Sequence, residues 1–349
     1  GKTWIALGVI STIKKPTLVC VPTIELARQW CRRIREILNF NDVGILGGGS
    51  KEIKPITVSV YNSAVKHRYE LMDKFDLLIF DEVHHVGAET FKEIVLDSCT
   101  VYRLGLSATI ERLDGNHNFI YKLIGKPIFY ITYYELVKRK YLSPLEYVKV
   151  VGSLSSSELR KYNEHSEIDE FDSFSSIKSF TQLKRISLCA NWKYDKVVEI
   201  VKENLGKKIL VFTEYLEQAE TVYKKLREFL GDKVALITGK TSKRNRKLAF
   251  EKFESGDVSV LVSTTVLNEG IDVPDAEVCV IMSNSGQGRE MVQRIGRIVR
   301  FKEGKVARAY DLVTIGTVEE YLWKNRFREA SLIFQLSDKK YSSMLRFLY

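Results

Sequence analysis

Two short groups of residues in this chain have the types and spacing for phosphate chemistry. Gly1-Lys2-Thr3 joins a residue without a side chain, an ammonium on a long stem and a hydroxyl. In a phosphate-binding loop glycines let backbone N–H groups close on the phosphates. The lysine then reaches the outer oxygens, and the hydroxyl takes Mg²⁺. The tripeptide alone is a weak signal, but Asp81-Glu82-Val83-His84 directly follows the apolar run Leu77-Leu78-Ile79-Phe80. That places two carboxylates at the C-terminal end of a parallel strand, where open α/β sheets bind ligands. Phosphoryl transfer to water needs a metal near the phosphates and a group that orients or deprotonates the water. Asp81 suits the metal, through water, and Glu82 suits the base. His84 and His85 lack the H-E-x-x-H spacing and a nearby third ligand, which argues against a zinc site. His84 is expected to link a nucleotide site to a facing domain, and His85 to pack locally.

A second group lies far along the chain, in Gln293-Arg294-Ile295-Gly296-Arg297-Ile298-Val299-Arg300. Read as one helix, Gln293, Gly296, Arg297 and Arg300 fall at i, i+3, i+4 and i+7 and share a face, with Gly296 buried. Arginines so placed stabilise transition-state charge on a γ-phosphate held elsewhere. Ser107 and Thr109 follow a strand at 103–106 and are expected to relay hydrolysis to strand movement. Thr23, at a helix start, is placed to bind a DNA phosphate through its hydroxyl and backbone N–H. Ser263-Thr264-Thr265, ahead of Glu269-Gly270-Ile271-Asp272, ends a strand in the second half and is expected to do the same beside the nucleotide.

The elements that must position these residues alternate between short apolar strands and amphipathic helices, as in an open parallel α/β sheet. Strands are expected at Thr17–Val21, Ile56–Val60, 77–80 and 103–106, with a helix over 25–38. A second series begins near Lys208, with strands at Ile209–Phe212, Val234–Ile237, 258–262, 278–282 and 307–312. Between the two series the pattern weakens. Ser155 to Glu158 reads as a capped helix start, and Phe171, Phe174, Ile177 and Phe180 recur at helical spacing as a packing face. The expected division is 1–132, a first domain; 133–190, linker and small helical insertion; 191–335, a second domain; and 336–349, a tail. The amphipathic segment Val318–Phe334 and the basic, apolar end at 339–349 are expected to pack on the second domain.

Composition sets the class of partner. At 349 residues the chain is too long for one ordinary core. Lys and Arg number 54 against 44 Asp and Glu, a net charge of +10, which favours polyanions. No apolar run approaches the roughly 18–20 residues of a membrane-spanning helix, so no membrane partner is expected. The five cysteines make no C-x-x-C pair and read as reduced thiols in a cytoplasmic protein, not as zinc ligands or disulfides.

Taken in order, GKT, PTIELARQW, VYNSAV, DEVHH, SAT, LVFTEY, STTVLNEGIDVPDAE and QRIGRIVR resemble the motif series of a superfamily 2 DExH helicase. LLIFDEVHHVGAETF, RLGLSATIERLDG and the run from NEGIDVPDAE to QRIGRIVR look most like the XPB-type helicases, the archaeal ones above all. The resemblance implies two RecA-like domains in tandem with a small thumb-like insertion between them, clamping ATP while single-stranded or forked DNA lies across both. It implies DNA-stimulated ATP hydrolysis with Mg²⁺, 3′ to 5′ movement, and a role in DNA repair or transcription. Localisation would be cytoplasmic and nucleoid-associated, beside a nuclease or a repair or transcription protein.

By matched position, Gly1, Lys2, Thr3, Asp81, Glu82, Gly270, Asp272, Gln293, Arg297 and Arg300 are the nucleotide residues. Glu82, Asp81, Gln293, Arg297 and Arg300 are the catalytic ones, Thr3 and Asp81 serve the metal, and His84, Ser107 and Thr109 serve coupling. Thr23, Arg28, Ser63, Arg112, Thr264 and Thr265 are the DNA contacts. Two departures stand out. Where the family carries Arg-Glu-Asp, this chain has Arg112-Leu113-Asp114, which puts a strand-opening wedge in doubt. Only the end of the phosphate loop is present, so the chain by itself is expected to bind nucleotide weakly and DNA in a salt-dependent way. The alternative readings are a double-strand DNA translocase of a restriction or remodelling system, and a DNA-binding module with impaired catalysis.

Overall fold

The computed structural model describes residues 1–87, 91–107, 117–166, 173–264, 275–284, 286, 288–334 and 345–348. One compact unit is built on Gly1–Tyr130, the other on Ile131–Asn268 and Asp272–Tyr349. None of the helices among the described residues is long and apolar enough to cross a membrane.

The first unit runs α1 (Lys2–Ile13), β1 (Thr17–Val21), α2 (Ile24–Leu38), β2 (Val43–Gly47), β3 (Ser50–Lys51), β4 (Ile56–Val60), α3 (Tyr61–Lys66), α4 (Arg68–Leu71), β5 (Leu77–Asp81), α5 (Glu93–Leu96), β6 (Tyr102–Leu106) and α6 (His117–Leu123). Its sheet has the order β3-β2-β4-β1-β5-β6, parallel except for the β2–β3 pair. β1 is buried throughout because it lies inside the sheet with both faces covered. Val19 and Val21 face Ala6, Leu7, Ile10, Ala27, Trp30 and Ile34 of α1 and α2. Leu18 and Cys20 face the opposite layer, which holds Tyr61, Ala64, Leu71 and Ile94.

The second unit runs α7 (Tyr133–Lys138), β7 (Leu145–Gly152), α8 (Ser156–Ser166), α9 (Ser173–Leu188), α10 (Trp192–Glu203), β8 (Ile209–Phe212), α11 (Leu216–Leu230), β9 (Val234–Ile237), α12 (Lys243–Ser255), β10 (Val260–Ser263), β11 (Val278–Ile281), α13 (Gly288–Gly296), β12 (Ala307–Thr314), α14 (Val318–Phe334) and β13 (Leu345–Leu348). All seven strands are parallel, in the order β13-β7-β12-β11-β8-β10-β9. Val211, Val262 and Val280 face α10 and α11, while Phe212, Leu261 and Ile281 face the layer of α12, α13 and α14.

Several expectations change here. The stretch 133–190 is not only linker and insertion: β7 is a strand of the second sheet, in register with β12 from Leu145↔Ala307 to Gly152↔Thr314. Tyr133 of α7 sits in the same core. Within 336–349, Leu345–Leu348 is an edge strand paired with Tyr147–Val150. The serine cap does form, with Ser155 Oγ donating to Glu158 Oε2 at 2.6 Å and accepting from Glu158 N at 3.4 Å. Phe180, expected on a packing face, is exposed; the side chains of Phe171, Phe174 and Ile177 lie outside the described residues. The thiols are all unpaired, with Cys20, Cys31 and Cys279 buried.

Candidate active site

Because β1, β4, β5 and β6 are parallel, their C-terminal ends share one edge of the first sheet. That edge carries Thr23 after β1, Ser63 after β4, Asp81 and Glu82 at the end of β5, and Ser107 after β6. The first turn of α1 reaches the same place. Lys2 Nζ bonds Glu82 Oε1, so the ammonium and the carboxylate expected to serve one reaction are in contact.

Asp81 is only 5% exposed, and its surroundings fix it closely. Trp30 Nε1 donates to Oδ2 at 2.9 Å, the Glu82 N–H donates to Oδ1 at 3.1 Å, and Tyr61 OH donates to the Asp81 carbonyl at 2.9 Å. Burial raises its carboxyl pKa above the usual range, while Lys2 and the Trp30 bond pull the other way. Glu82 has φ +52, a left-handed backbone that a glutamate rarely adopts. Such strain persists where the surroundings over-determine it. Here it lets Asp81 end the strand while Glu82 turns to Lys2. His84 is buried, with Nδ1 3.5 Å from Glu82 Oε2 and its ring 4.4 Å from that of His85.

Thr3 Oγ1 accepts a hydrogen bond from Arg33 at 3.1 Å. Thr23 caps α2, its Oγ1 accepting from Leu26 N at 3.3 Å, which leaves the hydroxyl proton for a ligand oxygen. Arg28 is exposed one turn further on. Thr264 is buried just after β10, and its carbonyl accepts from Ser263 Oγ at 2.9 Å. Thr109, Arg112, Thr265, Gly270 and Asp272 lie outside the described residues, as does the rest of Arg112-Leu113-Asp114.

The arginine segment differs from its reading as one helix. α13 stops at Gly296, and the chain turns there, with Arg297 N donating to Arg294 O and Ile298 N to Ile295 O. Gly296 is exposed, and a Cβ there would meet nothing within 4 Å. Arg300 sits in a bridge to Leu142, and its carbonyl accepts from Ser143 Oγ and Lys305 Nζ, both at 3.1 Å. Gln293 is thus on the helix, Arg297 in the turn and Arg300 in extended backbone. Ile298 and Val299, just past the turn, are buried in the core. Arg294, on the helix, is also buried, donating to Ser283 O at 2.9 Å.

Sequence reasoning missed Trp30, Arg33 and Tyr61 as site residues. Trp30 falls within the helix expected over 25–38, and the available signal was that a buried indole N–H needs an acceptor. Among the described residues no cluster of three or more His, Cys, Asp or Glu could cage a metal. A buried carboxylate and a hydroxyl are oxygen donors of the kind that Mg²⁺ shared with substrate phosphates would take, so the chemistry of Asp81 and Thr3 fits that group.

A model of the helicase conserved C-terminal domain matches residues 192–302, and one described as the res subunit of type III restriction enzymes matches residues 1–112. The helicase domain of Hef from Pyrococcus furiosus has the same fold, with a TM-score of 0.61 at 19% identity over 93% of each chain. Two RecA-like parallel-sheet domains with these motifs define the class of superfamily 2 helicases, which are ATP-dependent enzymes. A protein of Sulfurisphaera tokodaii named DNA 3′-5′ translocase XPB2 is 36% identical over 352 residues, covering 93% of this chain and 78% of that protein. The DNA 3′-5′ helicase XPB of Mycobacterium tuberculosis is 31% identical over 90% of this chain, which spans 56% of its length. The chain belongs to the XPB family of superfamily 2 helicases.

Proposed function

We propose that this chain is the motor core of a DNA helicase or translocase that hydrolyses ATP with Mg²⁺ and moves 3′ to 5′ on single-stranded or forked DNA. The observation that carries the reading is the meeting of Lys2, Asp81 and Glu82 at the end of β5. Lys2 and the N–H groups of the first turn of α1 bind phosphate oxygens. Thr3 and Asp81 hold the metal side, where a bound Mg²⁺ would neutralise charge developing on the phosphates. Glu82 orients and deprotonates the water, and His84 holds the Glu82 carboxylate. Gln293, Arg297 and Arg300 supply hydrogen bonding and positive charge to the transferring phosphate. Thr23, Arg28, Ser63, Arg112, Thr264 and Thr265 bind the DNA backbone, and the net charge of +10 draws the strand in. The names of the two relatives support DNA as the track and 3′ to 5′ as the direction. A cytoplasmic, nucleoid-associated place and a role in repair or transcription follow from the same reading.

Steady-state ATP hydrolysis with and without single-stranded DNA tests the proposal. A rate that DNA raises and that Glu82→Gln removes supports it. A rate indifferent to DNA, or one that survives Glu82→Gln, overturns it. Strand displacement against triplex displacement separates unwinding from travel along intact duplex.

A further inference from the structure

Helix α2 touches both residues on the metal side of the site. Trp30, 1% exposed, donates its indole N–H to Asp81 Oδ2 at 2.9 Å. Arg33, one turn later on the same face, donates Nη1 to Thr3 Oγ1 at 3.1 Å. Trp30 already packs in the apolar layer with Ala27, Cys31 and Ile34, and no carboxylate among the described residues pairs with Arg33.

We propose that α2 is the strut that positions the metal side of the nucleotide site, Trp30 acting through Asp81 and Arg33 through Thr3. The idea rests on the nucleotide reading above. An ionised carboxylate has about four acceptor positions on its two oxygens. Trp30 takes one on Oδ2 and the Glu82 N–H takes one on Oδ1. Each oxygen keeps a lone pair for metal-bound water, and the plane of the carboxylate is fixed. Arg33 likewise takes one lone pair of the Thr3 hydroxyl and leaves the other. Both are positioning residues and touch no reacting atom.

The test is Mn²⁺ affinity in the presence of ADP, followed by water-proton relaxation, with DNA affinity and thermal midpoint measured beside it. Trp30→Phe and Arg33→Met are each expected to weaken Mn²⁺ binding by about 10-fold or more, the usual scale for losing a partner of a metal-holding group. Arg33→Lys, which keeps a donor, should recover most of the loss. Ile34→Val thins the same buried helix face without reaching Asp81 and should leave Mn²⁺ affinity unchanged. DNA affinity should hold in all four variants. Unchanged Mn²⁺ binding in both Trp30→Phe and Arg33→Met overturns the proposal, as does an equal loss in Ile34→Val. If Trp30→Phe does not fold, the Arg33 pair decides. Absence of Mn²⁺–ADP binding in the unaltered protein is a different failure: it removes the nucleotide reading, and the positioning role with it.

Discussion

The Lys193 ammonium lies against both oxygens of the Glu319 carboxylate, at 2.6 and 2.8 Å, with neither side chain exposed. It also donates to the carbonyls of Met282 and Leu312, at 2.9 and 3.3 Å. One charged group thus ties α10 and α14 to the ends of β11 and β12. Removing one member of such a pair strands the other in the core. Lys193→Met is therefore expected to destabilise the second unit by about 3–5 kcal/mol. The double change Lys193→Met with Glu319→Leu should recover much of that, since no buried charge remains. Urea unfolding monitored in the second unit checks both.

Gly152 closes β7 against the indole of Trp192, where an added Cβ would lie 2.3 Å from the ring. The ring is held, its Nε1 donating to Thr314 Oγ1 at 3.2 Å. Gly152→Ala should cost about 1–3 kcal/mol through overpacking and shift tryptophan emission. A thermal midpoint equal to that of the unaltered protein would show that the ring moves freely.

Glu214, just after β8, has its pKa raised by burial, with Glu290 adding to the rise and Lys184, Arg294 and Arg326 opposing it. Its Oε1 is 4.0 Å from Lys184 Nζ. A carboxyl that holds its proton more tightly when folded loses stability as pH rises from the ordinary glutamate range, about 4.3, through its raised native value. Above that window the buried charge is a constant penalty. Glu214→Gln should leave the melting temperature near that of the unaltered protein at low pH and raise it at neutral pH. A difference independent of pH, measured by calorimetry, would contradict the assignment.

Arg297 and Arg300 stand on different backbone, one in the turn after α13 and one in the bridge to Leu142. Arg297→Ala is expected to lower the DNA-stimulated ATPase rate by about 10³-fold or more, as loss of a charge-stabilising arginine does. Arg300→Ala should leave the bridge intact, because the bridge uses only the Arg300 backbone. Separate rate measurements on the two variants, with circular dichroism as a control, test this.

What the sequence disclosed depended on whether a strand advertises itself by an apolar run. Ile56–Val60, Ile209–Phe212 and Val234–Ile237 match their expected bounds because no charged residue interrupts them. β7 was hidden by Glu146 and Lys149. In the fold Glu146 pairs with Arg308 at 2.8 Å, and Lys149 Nζ lies 3.7 Å from the centre of the Trp323 ring, so both charges stay in the strand. β2 was hidden by Gly44, whose missing Cβ lets the Glu52 carbonyl come close. The Lys2–Glu82 bond is added by the structure, whereas the placing of Asp81 and Glu82 at a strand end followed from the sequence. Trp30 and Arg33 did not, because helical spacing marks which face is buried and not what the polar tips on that face reach. The bend at Gly296 escaped notice because a regular helical phase fits the spacing of Gln293, Arg297 and Arg300 as well as the turn does.

The place of β7 between β13 and β12 bears on how the two halves should be produced separately. A gene fragment beginning at residue 191, where the apolar alternation resumes, would encode β12 without its neighbour. The whole of Ala307–Thr314 would then become an open edge, ready to recruit strands from other molecules and precipitate. Starting the second half at Ile131 keeps that edge covered, and soluble yield from the two start points would show the difference.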